Sequence, residues 1–197
     1  MTKVKDKYYN AGILMCGEKI LLTKETYFDS TLIKLPGGMQ EDIDYNFINW
    51  IQNFKELLSK SGFSEKEVEF LSTQEASINR SIQNRSLIRK FLMETGIYPS
   101  SFQHVFLKNE PDLKHNNKII KNFFFIKAYF QSGELKIINS SDISKLNFYY
   151  PGEVLDEESD LCIFSKHRFP LEKGLDLEIE SQKLNLESLS VVNLVWE

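Results

Sequence analysis

The chain has 197 residues, of which 42% are apolar and 13% aromatic, so it can bury a core of its own and lies outside the range of disordered sequences. Its net charge of −4 and pI near 5.5 give no overall attraction to nucleic-acid phosphates, and we expect no nucleic-acid partner. The sequence lacks both a membrane-spanning apolar run and the apolar core of a signal peptide, which predicts a cytoplasmic protein with a single domain over residues 1–197.

Cysteines and histidines give no metal motif. Cys16 and Cys162 are too few and too far apart for a zinc knuckle or a Cys-x-x-Cys redox pair, so we expect both to be reduced. His104, His115 and His167 also lack the spacing of metal ligands. His167, near the C-terminal part of the chain, is a candidate general base.

The N-terminal part of the chain has strand character. Apolar runs at 11–15 and 20–23 flank the glycine turn 16–19, which predicts a β-hairpin. A third strand is predicted at 32–35. It must end at Pro36-Gly37-Gly38, because proline cannot donate to a strand ladder and glycine permits backbone angles that other residues resist.

Three helices are predicted next. Apolar residues three or four positions apart predict a helix that ends near Gly62, with its buried face formed by Ile43, Phe47, Ile51, Phe54 and Leu58. Ser64 and Glu67 fit a capping box, which predicts a second helix through Leu71. The third helix ends at Gly96 and has apolar positions at Ile78, Ile82, Ile88, Phe91 and Leu92.

The second half of the chain returns to strand character. Predicted strands lie at 104–107, 121–130 and 135–138. A hairpin at 131–134 joins the last two, and the polar segment 114–118 is a loop. The acidic segment 156–160 predicts the start of a helix, since carboxylates suit the positive end of a helix dipole. The apolar run 191–196 is a candidate last strand.

Two separated segments, 35–44 and 89–97, together resemble the Nudix box, in which a strand ends in a glycine-rich turn, a carboxylate follows, and a helix presents an arginine and several glutamates. Gly38 and Asp44 match the glycine and the first carboxylate of the box. The matching helix residues are Arg89, Phe91, Glu94, Gly96 and Ile97. The common form of the turn is matched by Pro36, Gly37 and Glu41.

Two departures from the box concern its chemistry and its continuity. Lys90 and Met93 stand where the family has glutamates. Residues 45–88 separate Asp44 from Arg89, which predicts a helical insertion at 45–80 within the box. The insertion is expected to form a lid over the substrate cleft or a surface for a homodimer or protein partner.

The resemblance implies a Nudix-type α/β/α sandwich with a mixed sheet. It also implies hydrolysis of a nucleoside diphosphate linked to another moiety, with Mg²⁺ or Mn²⁺ as cofactor if the protein is active. The expected metal ligands are Glu94, Asp44 and Glu41. Glu94 and Arg89 are the expected catalytic residues, with Arg89 orienting Glu94. A nucleotide-type small molecule would contact Gly37, Gly38 and Lys90.

The changed positions leave two function classes open. A helix places positions i, i+3 and i+4 on one face, where glutamates can gather around a divalent cation. Lys90 introduces a cation on that face, and Met93 offers no hard oxygen ligand. The chain is therefore either a pyrophosphohydrolase of reduced or altered activity, or a module that binds a nucleotide without cleaving it and regulates a partner.

Overall fold

The computed structural model of the protein describes residues 5–27, 30–78, 80–111, 119–138, 143–159, 161 and 163–176. The predictions for the loop 114–118, for Cys162 and for the strand 191–196 lie outside these residues. The elements, in chain order, are β1 (Lys5–Cys16), β2 (Lys19–Tyr27), β3 (Ser30–Lys34), β4 (Gly37–Met39), α1 (Asp42–Tyr45), α2 (Phe47–Ser61), α3 (Glu65–Ile78), α4 (Ile82–Thr95), β5 (Ile97–Pro111), β6 (Ile119–Gly133), β7 (Ile143–Tyr149), α5 (Pro151–Leu155) and α6 (165–176). None of the described helices has the length and apolar composition that a membrane crossing requires.

The described strands form one mixed seven-stranded sheet with β1 near its centre. β1 runs parallel to β6 along one edge and antiparallel to β2 and β4 along the other. β3 and β7 pair antiparallel with β2, and β5 pairs antiparallel with β6. The N-terminal hairpin and the mixed α/β architecture predicted from the sequence are therefore confirmed.

Helices pack on both faces of the sheet. Successive strand side chains point to opposite faces, so Leu14 packs under α4, whereas Ile13 and Met15 lie on the face covered by α5 and α6. Gly12 lies where α4 crosses β1. A Cβ at this position would lie 2.3 Å from the Phe91 ring, so the close approach of α4 to the sheet requires glycine.

The first predicted helix is two helices in the structure. α1 ends at Asn46, which has extended backbone angles and is also the N-cap of α2. The Asn46 side chain accepts a hydrogen bond from the Asn49 amide at 3.1 Å, as an N-cap residue does. The predicted end of α2 at Gly62 is confirmed, since Gly62 adopts the left-handed conformation with φ of 97°.

α2 and α3 pack on the side of α4 that faces away from the sheet. The buried residues of this cluster are Trp50, Phe54, Leu57, Leu58, Val68, Leu71, Ile88, Leu92 and Tyr98. Trp50 also donates from its indole nitrogen to the Arg85 carbonyl oxygen at 3.0 Å. These contacts fix α2 against α4, so α2 is a packed wall of the fold.

The Ser64–Glu67 capping box is confirmed, with Glu67 accepting from the Ser64 amide at 2.8 Å. The predicted end of this helix at Leu71 is wrong, because α3 continues to Ile78. Its last turns contain Glu75, which is fully buried.

Two further predictions are wrong. Residues 134–138 are not a strand; their amides instead bind the end of α4, with Lys136 donating to the Thr95 carbonyl and Ile138 to the Met93 carbonyl, both at 2.9 Å. The last carbonyls of a helix have no partner within it, so this segment satisfies them.

Residues 156–159 of the predicted helix start are not helical; the helix here is α5, which begins earlier, at Pro151, whose fixed φ suits the first helical position.

Glu75 of α3 is bonded to Arg80, in the connection before α4, and to Tyr98 of β5 through a buried ionic network. The Arg80 Nε atom donates to both Glu75 carboxylate oxygens, at 2.8 and 2.6 Å, and the Tyr98 hydroxyl donates to the same carboxylate. Glu75→Ala is expected to lower the free energy of unfolding by about 3 kcal/mol, because it leaves Arg80 unpaired in a largely buried position. Urea denaturation followed by circular dichroism measures this loss.

Glu69→Ala is the matched control, since Glu69 is on the same helix and pairs with Lys55 in an exposed ion pair. Exposed pairs contribute at most about 1 kcal/mol. Equal stability of the two variants would show that the buried network does not hold α3.

Candidate ligand site

The site begins at the turn between β3 and β4. Gly37 has φ of 146°, and a Cβ there would lie 2.1 Å from the Asn10 carbonyl oxygen, so only glycine fits. The predicted strand end at Pro36 is confirmed, but Gly37 starts the short strand β4, which pairs with β1. The turn is therefore fixed against the centre of the sheet.

A buried ion pair joins α4 to α1, the short helix that follows β4. The Arg89 Nε and Nη2 atoms donate to the two carboxylate oxygens of Asp44, at 2.7 and 2.8 Å. The Asp44 and Arg89 side chains are only 0% and 3% exposed. This two-pronged geometry is the strongest form of an arginine–carboxylate contact, and it ties α1 to α4.

Glu41 is the second carboxylate of the site and interacts with two cations. Its Oε1 atom accepts from Arg89 Nη1 and from Lys90 Nζ, each at 3.0 Å. Burial alone would raise the pKa of Glu41, but the Lys90 hydrogen bond and the charges of Arg89 and Lys90 outweigh it and lower the pKa below its usual value. The ionised carboxylate of Glu41 thus bridges two adjacent residues of α4.

Glu94 is held by the turn and not by Arg89. Its Oε2 atom accepts from the Gly37 amide at 2.9 Å. The expectation that Arg89 orients Glu94 is wrong, because the guanidinium is directed at Asp44 and Glu41. Burial raises the pKa of Glu94 to about 7, despite the Gly37 hydrogen bond and the positive charges of Lys90 and Lys34.

The three expected metal ligands do not fit a divalent cation. Asp44 has both oxygens bound to Arg89, Glu41 is shared by two cations, and Glu94 accepts a hydrogen bond from the Gly37 amide. Within the described ranges, no three His, Cys, Asp or Glu side chains are grouped so that they could hold a metal ion. The ammonium of Lys90 supplies positive charge at this place instead.

All the predicted site residues lie in one cluster. Lys90 packs over the turn, with its Cε 3.1 Å from the position that a Cβ on Gly38 would take. Gly37, Glu94 and Glu41 surround the same lysine through the contacts described above. The residues that match the box therefore lie together in the structure, although the sequence did not reveal which charges neutralise each other.

His167 packs against the residue before the turn, in a role that the sequence did not indicate. Its Nδ1 atom accepts from the Leu35 amide at 3.1 Å, so the neutral ring carries its proton on Nε2. Burial and the nearby charges of Lys34 and Lys166 lower the pKa of His167 to about 3. The prediction that His167 is a general base is wrong, because its one lone pair is already bound to the backbone.

A small aromatic pocket lies beside His167. Its volume is about 200 Å³, and its lining residues are Lys108, Glu110, Phe123, Phe125, Phe164, Lys166 and His167. Phe125 and Phe164 meet the imidazole edge-on, with ring centroids 5.6 and 5.5 Å away. Lys108 and Lys166 both pair with Glu110, which leaves one net positive charge among the lining residues. This pocket suits one flat ring system.

A larger cavity of about 770 Å³ lies on the other side of the box, between β4, α1, α2 and α4. Glu41, Arg89 and Met93 line it from the box. Asn53, Leu57 and Lys60 line it from α2. The segment that interrupts the box in sequence therefore forms one wall of this cavity.

The pKa of Glu94 predicts a dependence of stability on pH. The folded protein holds this proton with a pKa of about 7, against 4.5 for an ordinary glutamate. The stability that Glu94 contributes is therefore complete below pH 4.5 and is lost as the pH rises through 7, by about 3 kcal/mol in all. Glu94→Gln removes this titration while keeping an acceptor for the Gly37 amide.

Urea midpoints of the native protein and of Glu94→Gln between pH 5 and 8 provide the measurement. The difference between the two curves cancels the opposite contribution of His167, whose lowered pKa favours the folded state at higher pH. We expect the native protein to lose stability relative to the variant over this range. Parallel curves would contradict the burial of an ionisable Glu94.

Comparison with known proteins identifies the fold. No model of a protein family matches the sequence, and no curated protein matches it. Among solved structures, a NUDIX hydrolase from Nitrosomonas europaea matches with a TM-score of 0.56 at 12% identity, covering 88% of this chain and 90% of that one. A MutT NUDIX hydrolase from Burkholderia pseudomallei matches with a TM-score of 0.54 at 14% identity, covering 86% and 98%.

A third structure is the NUDIX domain of Shewanella oneidensis NrtR complexed with ADP ribose, with a TM-score of 0.50 at 12% identity and coverage of 87% and 86%. At these identities the likeness establishes the fold alone. The likeness agrees with three features of this chain: the seven-stranded mixed sheet, the helices on both of its faces, and the glycine turn under α4. The chain is a domain with the Nudix fold.

Proposed function

We propose that the protein is a Nudix-fold module that binds a nucleotide-type small molecule without hydrolysing it. The observation that carries the proposal is the position of Lys90, whose ammonium lies over the Gly38 turn and pairs with Glu41 at 3.0 Å. Hydrolysis on this fold is expected to need several carboxylates around Mg²⁺ or Mn²⁺. Here the carboxylates are paired with cations or held by the backbone.

The turn and Lys90 together suit a phosphate group. Lys90 has three donors, and because Gly38 has no side chain, the end of the lysine packs directly over the turn, where its Nζ can reach an anion bound beside it. Lys34 also lies near Glu94, but its charge is paired with Glu25 at 2.7 Å. Lys90 is therefore the cation that would bind a phosphate here in place of a metal ion.

The aromatic pocket suits the ring of the same ligand. His167 is bonded to the Leu35 amide, and Glu94 is bonded to the Gly37 amide. These two amides are two residues apart, a span of at most about 7 Å. The ring pocket and the phosphate position thus lie at opposite ends of one short segment, and the free Nε2–H of His167 can donate to a ring acceptor. The solved NrtR domain, which carries ADP ribose, supports a nucleotide-type ligand.

Hydrolysis at a reduced rate is the second candidate. The Glu41 side chain is 46% exposed, and its two contacts with cations use only Oε1. Its second oxygen could join substrate phosphates in holding a cation. The NUDIX hydrolases from Nitrosomonas europaea and Burkholderia pseudomallei share the fold, and this likeness favours the second candidate. Turnover assays separate the two candidates.

Lys90→Ala tests the binding proposal. Calorimetry with ADP and ADP-ribose, in EDTA, is expected to show binding to the native protein and about tenfold weaker binding to the variant, because a hydrogen bond to a charged group is worth about 1.5–3 kcal/mol. Lys55→Ala is the control, since Lys55 is an exposed lysine of α2. Robust turnover with Mn²⁺ by the native protein would exclude a pure binding module.

The double variant Lys90→Glu/Met93→Glu tests why hydrolysis is absent. With Glu94 it would place three glutamates on one face of α4, since positions i, i+3 and i+4 are neighbours on a helix. We expect this variant to acquire Mn²⁺-dependent hydrolysis of ADP-ribose, measured as release of AMP. The single variant Met93→Glu, which retains Lys90, is the control and is expected to remain inactive. Equal inactivity of both would mean that other parts of the site also prevent catalysis.

A further inference from the structure

The aromatic pocket beside His167 continues into a stacked pair of rings on β1 and β6. Phe123, which lines the pocket, stacks on Tyr9 with ring centroids 5.0 Å apart and ring planes 20° from parallel. The two residues are partners across the parallel strands, so both side chains stand on the face of the sheet that carries the pocket. Both are partly exposed. The aromatic surface therefore extends from the pocket towards the N-terminal end of β1.

Two lysines lie next to this aromatic pair along the strands. Side chains two residues apart in a strand point to the same face, which places Lys121 beside Phe123 and Lys7 beside Tyr9. Lys7 and Lys121, the lysine pair, are partners across β1 and β6, and both side chains are partly exposed. Their backbone lies about 7 Å from the stacked rings, since a strand rises about 3.4 Å per residue. A group bound next to the rings is thus within reach of both ammonium groups.

The lysines of the pocket add to this positive charge. Lys108 and Lys166 both pair with Glu110, at 2.5 and 3.1 Å, and Glu110 is the partner of Lys121 across β5 and β6. The hydrogen bonds and charges of Lys108 and Lys166 outweigh burial and lower the pKa of Glu110 below its usual value. One carboxylate thus lies among four lysines, counting Lys7. The described residues of this patch carry a surplus of positive charge, although the whole chain has a net charge of −4.

The lysine pair and the glycine turn lie at opposite ends of the aromatic pocket. Gly37 of the turn pairs with Ala11 of β1. Phe125 of the pocket is the partner of the same Ala11 on the other side, whereas Lys7 lies four residues earlier in β1. A ring in the pocket would therefore have the turn on one side and the lysine pair on the other.

The placement of the lysine pair favours a bound anion. Like charges directly opposite each other on neighbouring strands repel and destabilise the sheet. An anion between the two ammonium groups removes this repulsion and accepts hydrogen bonds from both, which are strong because donor and acceptor are charged. Phosphate has enough oxygens to accept from both lysines at once.

We infer that the lysine pair binds a second phosphate of the ligand, attached to the nucleoside on the side away from Lys90. The inference rests on the proposed function and deepens it, because it defines the ligand as a nucleotide with phosphate on both sides of its ribose. This second phosphate is either a terminal phosphomonoester or the phosphodiester link to another nucleotide. In the latter case, Tyr9 and Phe123 offer a surface on which the next base stacks.

Calorimetry in EDTA with AMP, ADP, adenosine 3′,5′-bisphosphate and the 5′-phosphorylated dinucleotide pApA, and with the matching uridine compounds, provides the test. We expect the native protein to bind the bisphosphate or the dinucleotide about tenfold more tightly than the monophosphate with the same base. A preference for the bisphosphate alone would identify a phosphomonoester, and a preference for the dinucleotide would identify a phosphodiester. Both results support the inference.

Lys7→Glu is expected to abolish this preference and to leave the affinity for the monophosphate unchanged. The variant is expected to fold, because a carboxylate opposite Lys121 is a favourable strand pair. Lys7→Arg, which keeps the charge, is expected to retain the preference. Lys55→Glu is the control variant, since Lys55 is an exposed lysine of α2, and it is also expected to retain the preference.

Two results would overturn the inference and leave the proposed function standing. One is equal binding of the monophosphate, the bisphosphate and the dinucleotide by the native protein. The other is a preference that survives in Lys7→Glu. Failure of every compound to bind, ADP included, would instead overturn the proposed function.

Discussion

The buried pair of Arg89 and Asp44 determines how the site is built. Neither charge could be buried alone, because an unpaired ion in the protein interior is strongly destabilising. Their two hydrogen bonds, at 2.7 and 2.8 Å, hold the four-residue helix α1, which is too short to be stable by itself. They also direct Glu41 towards Lys90 and leave Glu94 to the Gly37 amide. The other contacts of the box follow from this one pair.

The same backbone arrangement supports a different chemistry when one charge is reversed. A glutamate at position 90 would add to the carboxylates of Glu41 and Glu94, and the excess negative charge would attract a divalent cation. Lysine at that position pairs with Glu41 and lowers its pKa. Burial keeps Glu94 largely protonated below pH 7. The local charge is thus balanced by side chains.

The sequence predicted those features that depend on local patterns. The hairpin, the end of α2 at Gly62 and the capping box at Ser64 each follow from a few neighbouring residues, and the structure has all of them. The strand predicted at 135–138 is wrong because this segment instead binds the last carbonyls of α4, which is a tertiary contact. Two features of the site depend on residues far apart in sequence. One is the choice of the cations that neutralise Glu41, and the other is the hydrogen bond that His167 accepts from the Leu35 amide.

The long segment between Asp44 and Arg89 is tolerated because its ends meet through that pair. The entropy lost on closing a loop grows only with the logarithm of its length, by about 0.6 kcal/mol for each doubling. The buried cluster around Trp50 and Phe54 stabilises α2 and α3 by far more than this. Once packed, α2 forms a wall that a shorter connection would lack, and the cavity behind it follows directly. The segment that interrupts the box in the sequence therefore adds a wall to the cavity beside the box in the structure.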